Sequence, residues 1–467
     1  MPPKPQNPAI RFDSLPISKL LLEVIGELNF TELTPIQAES IPLLLKGRDL
    51  IGQSKTGSGK TLAFSIPILH RLEISHRRVQ SLILCPTREL AVQVTREVRR
   101  LGRKFPGLNV ACLVGGQPIQ AQLGGLRMGA HIAVGTPGRV LDHLKRGTLD
   151  LGDCGQVVLD EADRMLDMGF QEQMEELLSA LRERRQTILF SATFPDSIEQ
   201  ISAAYQRDPV RVTISEESAS AQIEQHLYSV EEEDKLNALL WAIRTYQPEQ
   251  ALVFCNLKVT VVELTHCLEE AGLSAAGLQG DLEQQDRDRV MAKFRNKSIR
   301  VLVATDVAAR GIDVAELGLV VNFDLPKPDI YLHRIGRTGR AGKEGLAVSF
   351  ALPKESYKVR ELESVSTIEK RKLPVNLESG PAESAAAPAS MTTLFISGGR
   401  KDKLRPGDIL GALTGEAGGF AGTDIGKIEI HDRFSYVAVA SRVAEPAMHR
   451  LREGRIKGRK FRVELVR

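Results

Sequence analysis

Apolar residues in this chain gather into short β-branched runs, separated by longer stretches whose apolar positions recur every three or four residues. In the first part, SLILC (81–85), HIAVGT (131–136), QVVLD (156–160) and QTILFS (186–191) predict strands. In the second, QALVFC (250–255), RVLVAT (300–305) and LVVNF (319–323) do the same. Strands apolar at successive positions are covered on both faces, and helical segments between them predict parallel sheets of the α/β class. No repeat period is visible in the residues. Beyond residue 391 the pattern changes. A strand at 393–398, a helix near 406–414, a β-hairpin region at 425–440, a helix near 444–452 and a strand at 460–466 predict a small α+β sandwich. Two segments read as joints: ISEESASAQ (214–222) and NLESGPAESAAAPAS (376–390), the second a flexible tether by its Ala, Ser, Pro and Gly content. They divide the chain into 1–213, 222–375 and 391–467.

The length of 467 residues suits about three domains. No apolar run reaches the ~18 residues of a membrane span, and MPPKPQNPAIRF at the start lacks the apolar stretch of a signal peptide. The five cysteines (Cys85, Cys112, Cys154, Cys255, Cys267) are widely spaced with no C-x-x-C pair, which excludes a disulfide scaffold or a zinc finger. A cytoplasmic enzyme or machine, with no membrane partner, is the expectation. The net charge of +3 is uninformative, but its distribution is not. Residues 391–467 hold 15 Lys and Arg against 9 Asp and Glu, whereas the rest holds 47 against 50. A basic module on a slightly acidic body points towards nucleic acid.

Chemistry enters at Ser54, Lys55, Thr56, Gly57, Ser58, Gly59, Lys60 and Thr61, between the apolar Leu50-Ile51 and the helical TLAFSIPIL. Glycines let backbone amides close around phosphate oxygens, and the following helix start adds its dipole. Lys60 would reach the β- and γ-phosphates, and the Thr61 hydroxyl would ligate Mg²⁺. Ser54 stands where the full P-loop pattern has glycine. About 100 residues later VVLDEAD ends a buried strand in Asp160-Glu161. Asp160 is placed to hold Mg²⁺ partly through water, and Glu161 to polarise an attacking water. Together these predict hydrolysis of a nucleoside triphosphate.

With these motifs the chain resembles the DEAD-box RNA helicases of superfamily 2, over about residues 10–372. The resemblance implies two tandem RecA-like parallel-sheet domains followed by a small C-terminal α+β domain similar to an RNA-recognition motif. FTELTPIQ (30–37) resembles the family's Q motif, with Phe12 at its upstream aromatic position and Asn29 and Leu33 in place of the usual Gly and Pro. Gln37 would pair with the adenine edge and Phe12 stack on its face, which implies ATP as the nucleotide. PTRELA (86–91), Gly115-Gly116 and TPGR (136–139) resemble RNA-contacting motifs, and Arg88, Gly115, Gly116, Thr136 and Arg139 inherit that role. Thr136 is expected to cap a helix starting at Pro137. SAT (191–193) resembles the segment that couples nucleotide to RNA, so Asp163, Ser191 and Thr193 are coupling residues. LVFCNLK (252–258), QQDR (284–287) and TDVAARGID (305–313) continue the series, adding Arg287 and Thr305 to the RNA contacts and Asp313 to the ATP ribose. In HRIGRTGR (333–340), Arg337 and Arg340 match the arginine fingers of the family. Guanidinium suits phosphate because it is permanently charged and forked. The family's cycle further implies that ATP and RNA together favour a closed arrangement of the two lobes, which bends one RNA strand and melts a short duplex locally.

In the C-terminal module TLFISGG (393–399) resembles the first-strand motif of an RNA-recognition domain, with Phe395 at its stacking position. RFSYVAVA (433–440) partly matches the third-strand motif, but Asp432 and Arg433 replace its opening residues and Val439 an aromatic. Phe434 and Tyr436 are the stacking candidates there. Arg455, Lys457, Arg459 and Lys460 form a basic stretch suited to phosphate. A bacterial subfamily of these helicases carries such a module to bind a 23S rRNA hairpin in pre-50S particles. The resemblance therefore implies RNA rather than DNA as partner, ATP and Mg²⁺ as cofactors, and a role in large-subunit assembly, with no oligomer implied. The competing reading is an ATP-switched RNA clamp that serves as an assembly platform without productive unwinding.

Overall fold

The structure is a computed structural model describing residues 10–466, except 55–57, 117, 195, 215–222, 310–316, 340–344, 375–376, 378–388 and 416–418. The chain forms two compact units, 1–216 and 217–467.

The first unit is built on seven strands: β1 (Leu50–Gln53), β2 (Ser81–Leu84), β3 (Val110–Leu113), β4 (Ile132–Gly135), β5 (Gln156–Asp160), β6 (Gln186–Ser191) and β7 (Val210–Thr213). They pair in the order β3-β4-β2-β5-β6-β1-β7, every pairing parallel. Successive side chains leave opposite faces, and both faces are apolar. Ile83, Val158 and Ile188 enter one core, while Leu82, Leu84, Val157, Leu159 and Leu189 enter the other. This double burial explains the near-continuous apolar runs.

The second unit begins with the same design: β8 (Ile223–Ser229), β9 (Ala251–Cys255), β10 (Ala275–Leu278), β11 (Val301–Thr305), β12 (Leu319–Asn322), β13 (Gly345–Ala351) and β14 (Glu369–Arg371). Their order, β10-β11-β9-β12-β13-β8-β14, repeats that of the first sheet strand for strand, again all parallel. The repeat is thus one of topology and not of residues. Val253, Cys255, Val301 and Val303 fill one face; Leu252, Phe254, Leu302 and Ala304 fill the other.

The C-terminal module is a four-stranded antiparallel sheet of β15 (Met391–Ile396), β16 (Ile425–Ile430), β17 (Ser435–Ala440) and β18 (Val463–Leu465), ordered β16-β17-β15-β18. The helices Pro406–Thr414 and Ala444–Glu453 cover one face, meeting Leu394, Ile396, Val437 and Val439 in a common core. The module does not stand apart from the second lobe, as a flexible tether would suggest. The helix Gln284–Arg295 and the turn after it lie against its other face. Arg295 forms a forked ion pair with Glu429, both bonds 3.0 Å, and Asn296 and Ser298 hydrogen-bond to the Thr393 hydroxyl at 3.2 and 2.7 Å. The tether itself, apart from residues 377 and 389–390, lies outside the described residues.

Candidate active site and nucleic-acid interface

In the first lobe the carboxyl ends of β5, β6 and β1 lie side by side, with Gln53 opposite Ser191 and Asp160 opposite Phe190. Ligands of open α/β sheets bind at such edges. Ser54 leaves β1 by donating its N–H to the Ser191 carbonyl, and the chain turns through Gly59 into the helix Lys60–Arg71. Gly59 has φ +95°, and a Cβ there would lie 2.3 Å from Gln37 Nε2, so glycine is required on two counts. Lys60, the first helical residue, is buried and donates to the Ser54 carbonyl at 2.9 Å. Lys55, Thr56 and Gly57 lie outside the described residues; the Ser54 and Ser58 hydroxyls meet at 2.9 Å.

Asp160 ends β5 fully enclosed. Burial drives its carboxyl up to about 7, against the pull of Lys60 and with the repulsion of Glu161. Its Oδ1 is buried with no hydrogen-bond partner. A buried carboxylate oxygen without a donor is costly unless a cation completes it, so this position fits Mg²⁺, a hard ion that takes oxygen ligands. Glu161 follows with φ +54°, a left-handed conformation that a side chain adopts only when its surroundings enforce it. Arg164, one turn on, donates to Glu161 Oε2 at 3.0 Å, and both side chains are almost wholly buried. Sequence reasoning passed over Arg164. The i to i+3 spacing from Glu161 across a helix start was its one signal.

Asp163 turns the other way. Its Oδ2 accepts the N–H groups of Ala192 and Thr193 and the Thr193 hydroxyl, while the Ser191 hydroxyl accepts the Asp163 N–H and donates to the Thr193 carbonyl. The structure therefore brings Asp163, Ser191 and Thr193 into one network.

The Q-motif residues are placed differently from the simple expectation. Gln37 accepts the Thr34 N–H at 2.9 Å and donates to the Gly59 carbonyl at 3.0 Å, so its amide braces the phosphate loop. Phe12 is buried against Phe30, ring centroids 6.3 Å apart, with little open face.

The RNA candidates of this lobe converge at the carboxyl ends of β2, β3 and β4. The Arg88 guanidinium lies over Gly115, whose Cβ would be 3.1 Å from it. Thr136 donates its N–H to the Leu113 carbonyl and precedes a helix whose first residue is Pro137. Its hydroxyl makes no capping bond, contrary to expectation; extended backbone and Pro137 define the start instead. In the second lobe Arg287 donates to the Ala308 carbonyl at 2.6 Å, and Thr305 ends β11. Arg337 is buried, whereas Asp313 and Arg340 lie outside the described residues. Arg334 is fully buried and spends its donors on Asp306, Asn256, Asn322 and the Asp324 carbonyl, tying together the ends of β9, β11 and β12.

In the C-terminal module Phe395, His431, Phe434 and Tyr436 form one aromatic cluster; Phe434 precedes β17 and stacks on His431 with centroids 4.5 Å apart. Tyr436 and Thr393, on the face that was expected to stack bases, are buried where the helix Gln284–Arg295 approaches. Arg455, Lys457, Arg459 and Lys460 are exposed around a tight turn closed between Ile456 and Arg459.

Residues 34–201 match the DEAD/DEAH box helicase family, 233–342 the helicase conserved C-terminal domain, and 393–465 the DbpA RNA-binding domain. The chain belongs to the DEAD-box ATP-dependent RNA helicases, with two RecA-like lobes and RNA as its partner. Within that family it is of the kind that ends in a DbpA RNA-binding domain. It is 46% identical to the ATP-dependent RNA helicase DbpA of Escherichia coli over 95% of this chain and 96% of that one. It is 44% identical to the DEAD-box helicase CshA of Geobacillus kaustophilus, over 78% and 77%. Among solved structures, Dbp5 of S. cerevisiae bound to RNA and ADP BeF3 superposes with a TM-score of 0.72 at 32% identity, covering 81% of this chain and 100% of that one. No described helix is long and apolar enough to cross a membrane.

Proposed function

We propose that this helicase is held on 23S rRNA by its C-terminal module and unwinds short neighbouring helices during assembly of the large ribosomal subunit, in the cytoplasm. The observation that carries the reading is the division of labour on the module's surface. One face of the sheet is given to the second lobe, through Glu429, Thr393 and Tyr436, while the basic turn Arg455–Lys460 is left exposed. A surface that is rigidly carried and basic supplies phosphate contacts that fix register. The half-buried rings of Phe395 and Phe434 add stacking.

At the nucleotide, the phosphate loop Ser54–Thr61 and the helix start at Lys60 cradle the triphosphate of ATP. Mg²⁺, held by Asp160 and the Thr61 hydroxyl, would neutralise charge on the phosphate oxygens. Glu161, aimed by its enforced backbone and by Arg164, takes the proton of the attacking water. Asp163 passes the state of that site to the SAT segment through Thr193.

The test is RNA-stimulated ATPase and displacement of a short duplex, compared for a 23S fragment carrying the hairpin, an unrelated structured RNA and DNA. Stimulation by the 23S fragment at concentrations at least tenfold lower supports the anchor. Equal response to all three overturns it, and clamping of RNA without strand displacement favours a switched platform.

A further inference from the structure

His143 and Gln122 belong to none of the motifs above, yet they form a buried polar bridge between two of them. His143 lies in the second turn of the helix Pro137–Lys145, one turn beyond Arg139, and is fully buried. Gln122 is buried in the helix Gln120–Arg127, which follows the Gly115-Gly116 turn. Gln122 Nε2 donates to the carbonyl of Val114 at 2.7 Å, and Gln122 Oε1 lies 2.9 Å from His143 Nε2. A carbonyl can only accept, so the amide orientation is fixed, and His143 must carry its proton on Nε2. Nδ1 then faces the Thr148 hydroxyl at 2.9 Å. Burial, with Arg139 close by, holds the imidazole below its usual proton affinity and so in this neutral form.

A buried polar relay adds little net stability compared with well-packed apolar side chains. What it does supply is direction, because each bond tolerates a narrow geometry. Val114 is the residue immediately before Gly115, over which Arg88 lies. The relay therefore fixes a glycine turn, with little stiffness of its own, to the helix that presents Arg139.

We propose that Gln122 and His143 are positioning residues for RNA, their bridge locking the Gly115-Gly116 turn in register with the TPGR helix so that one phosphate backbone meets both. The inference rests on the reading that these two segments face RNA. In the full chain, RNA-stimulated ATPase is titrated with single-stranded oligouridylate, which lacks the 23S hairpin. His143→Leu and Gln122→Glu each raise the half-saturating RNA concentration roughly tenfold, the size of one buried hydrogen bond, while KM for ATP stays within twofold. His143→Gln restores RNA half-saturation, because its amide N–H can replace the imidazole donor. Gln122→Glu keeps the histidine and sets a carboxylate oxygen against the Val114 carbonyl, breaking that link, so it serves even if His143→Leu does not fold. Unchanged RNA half-saturation, equal rises in both constants, or failure of His143→Gln to restore it overturns the proposal. Absence of RNA stimulation in the wild-type chain overturns the underlying reading as well, which separates the two failures.

Discussion

The Asp163 carboxylate receives the Thr193 hydroxyl at 3.0 Å and the Thr193 N–H at 2.9 Å on the same oxygen, Oδ2. The last acid of the DEAD sequence is thus engaged with the end of the neighbouring strand. Thr193→Ala removes one of these bonds and keeps the two backbone donors. Strand displacement is expected to fall more than RNA-stimulated ATPase, by roughly tenfold against twofold. Equal losses in the two assays would deny Thr193 a coupling role.

Glu161 and Lys60 separate along another line. Glu161→Gln keeps size and hydrogen bonding but cannot take a proton, so turnover drops roughly 10²–10⁴-fold while ATP still binds. Lys60→Ala removes a buried cation beside Asp160 and weakens nucleotide binding itself. Fluorescent-nucleotide titration beside steady-state ATPase distinguishes the two. Wild-type turnover in Glu161→Gln contradicts its assignment.

The contact between Arg295 and Glu429 makes a prediction about pH. Burial alone would raise the Glu429 carboxyl, but the neighbouring His431 ring and the ion pairs with Arg295 and Lys427 prevail and hold it well below the usual carboxylate range. A depressed folded value contributes stability above the unfolded value of about 4.3, lost as pH falls through the folded one. Docking of the module should therefore persist at pH 4–5 and loosen only in stronger acid. Arg295→Ala removes the forked partner from the second lobe and leaves the Glu429 carboxylate to Lys427 of its own strand, and should raise hydrogen exchange in β16 and β17 at neutral pH. Unchanged exchange means that the ion pair does not hold the module.

The exposed basic turn is tested by salt. Each phosphate contact contributes about 0.9 to the slope of log affinity against log salt on duplex, and about 0.7 on single strands. Neutralising Arg455 and Arg459 together should lower that slope by roughly 1–2 for a 23S hairpin fragment. An unchanged slope moves the contact elsewhere on the module.

Much of this architecture was legible because buried parallel strands must be apolar on both faces. Gln156–Asp160 and Gln186–Ser191 appear in the structure with the limits read from sequence. Some of the strands missed were short or lay at edges. Val210–Thr213, for example, buries only Val212, so its pattern is mostly polar. Ile223–Ser229 and Gly345–Ala351, long and internal to the second sheet, were missed as well. The site was legible where chemistry demands a fixed order of residues, as at Lys60 and Asp160-Glu161. It was not legible where a role depends on packing. Nothing local distinguishes Gln37 bracing Gly59, or Tyr436 turned towards the second lobe, from an exposed side chain.

The matching strand order of the two sheets makes their positions comparable one by one. In the first, β1 leads through a glycine-rich loop to Lys60, close to Asp160 at the end of β5. In the second, β8 leads through Glu231, Glu232, Glu233 and Asp234 to Lys235, which heads its own helix and binds Asp324 beyond β12 at 2.6 Å. The second half thus keeps the lysine and its acid but closes them on each other, behind four carboxylates that repel a phosphate. With Lys235 engaged by Asp324, the matching position of the second sheet is taken by an ion pair where the first sheet carries its phosphate loop.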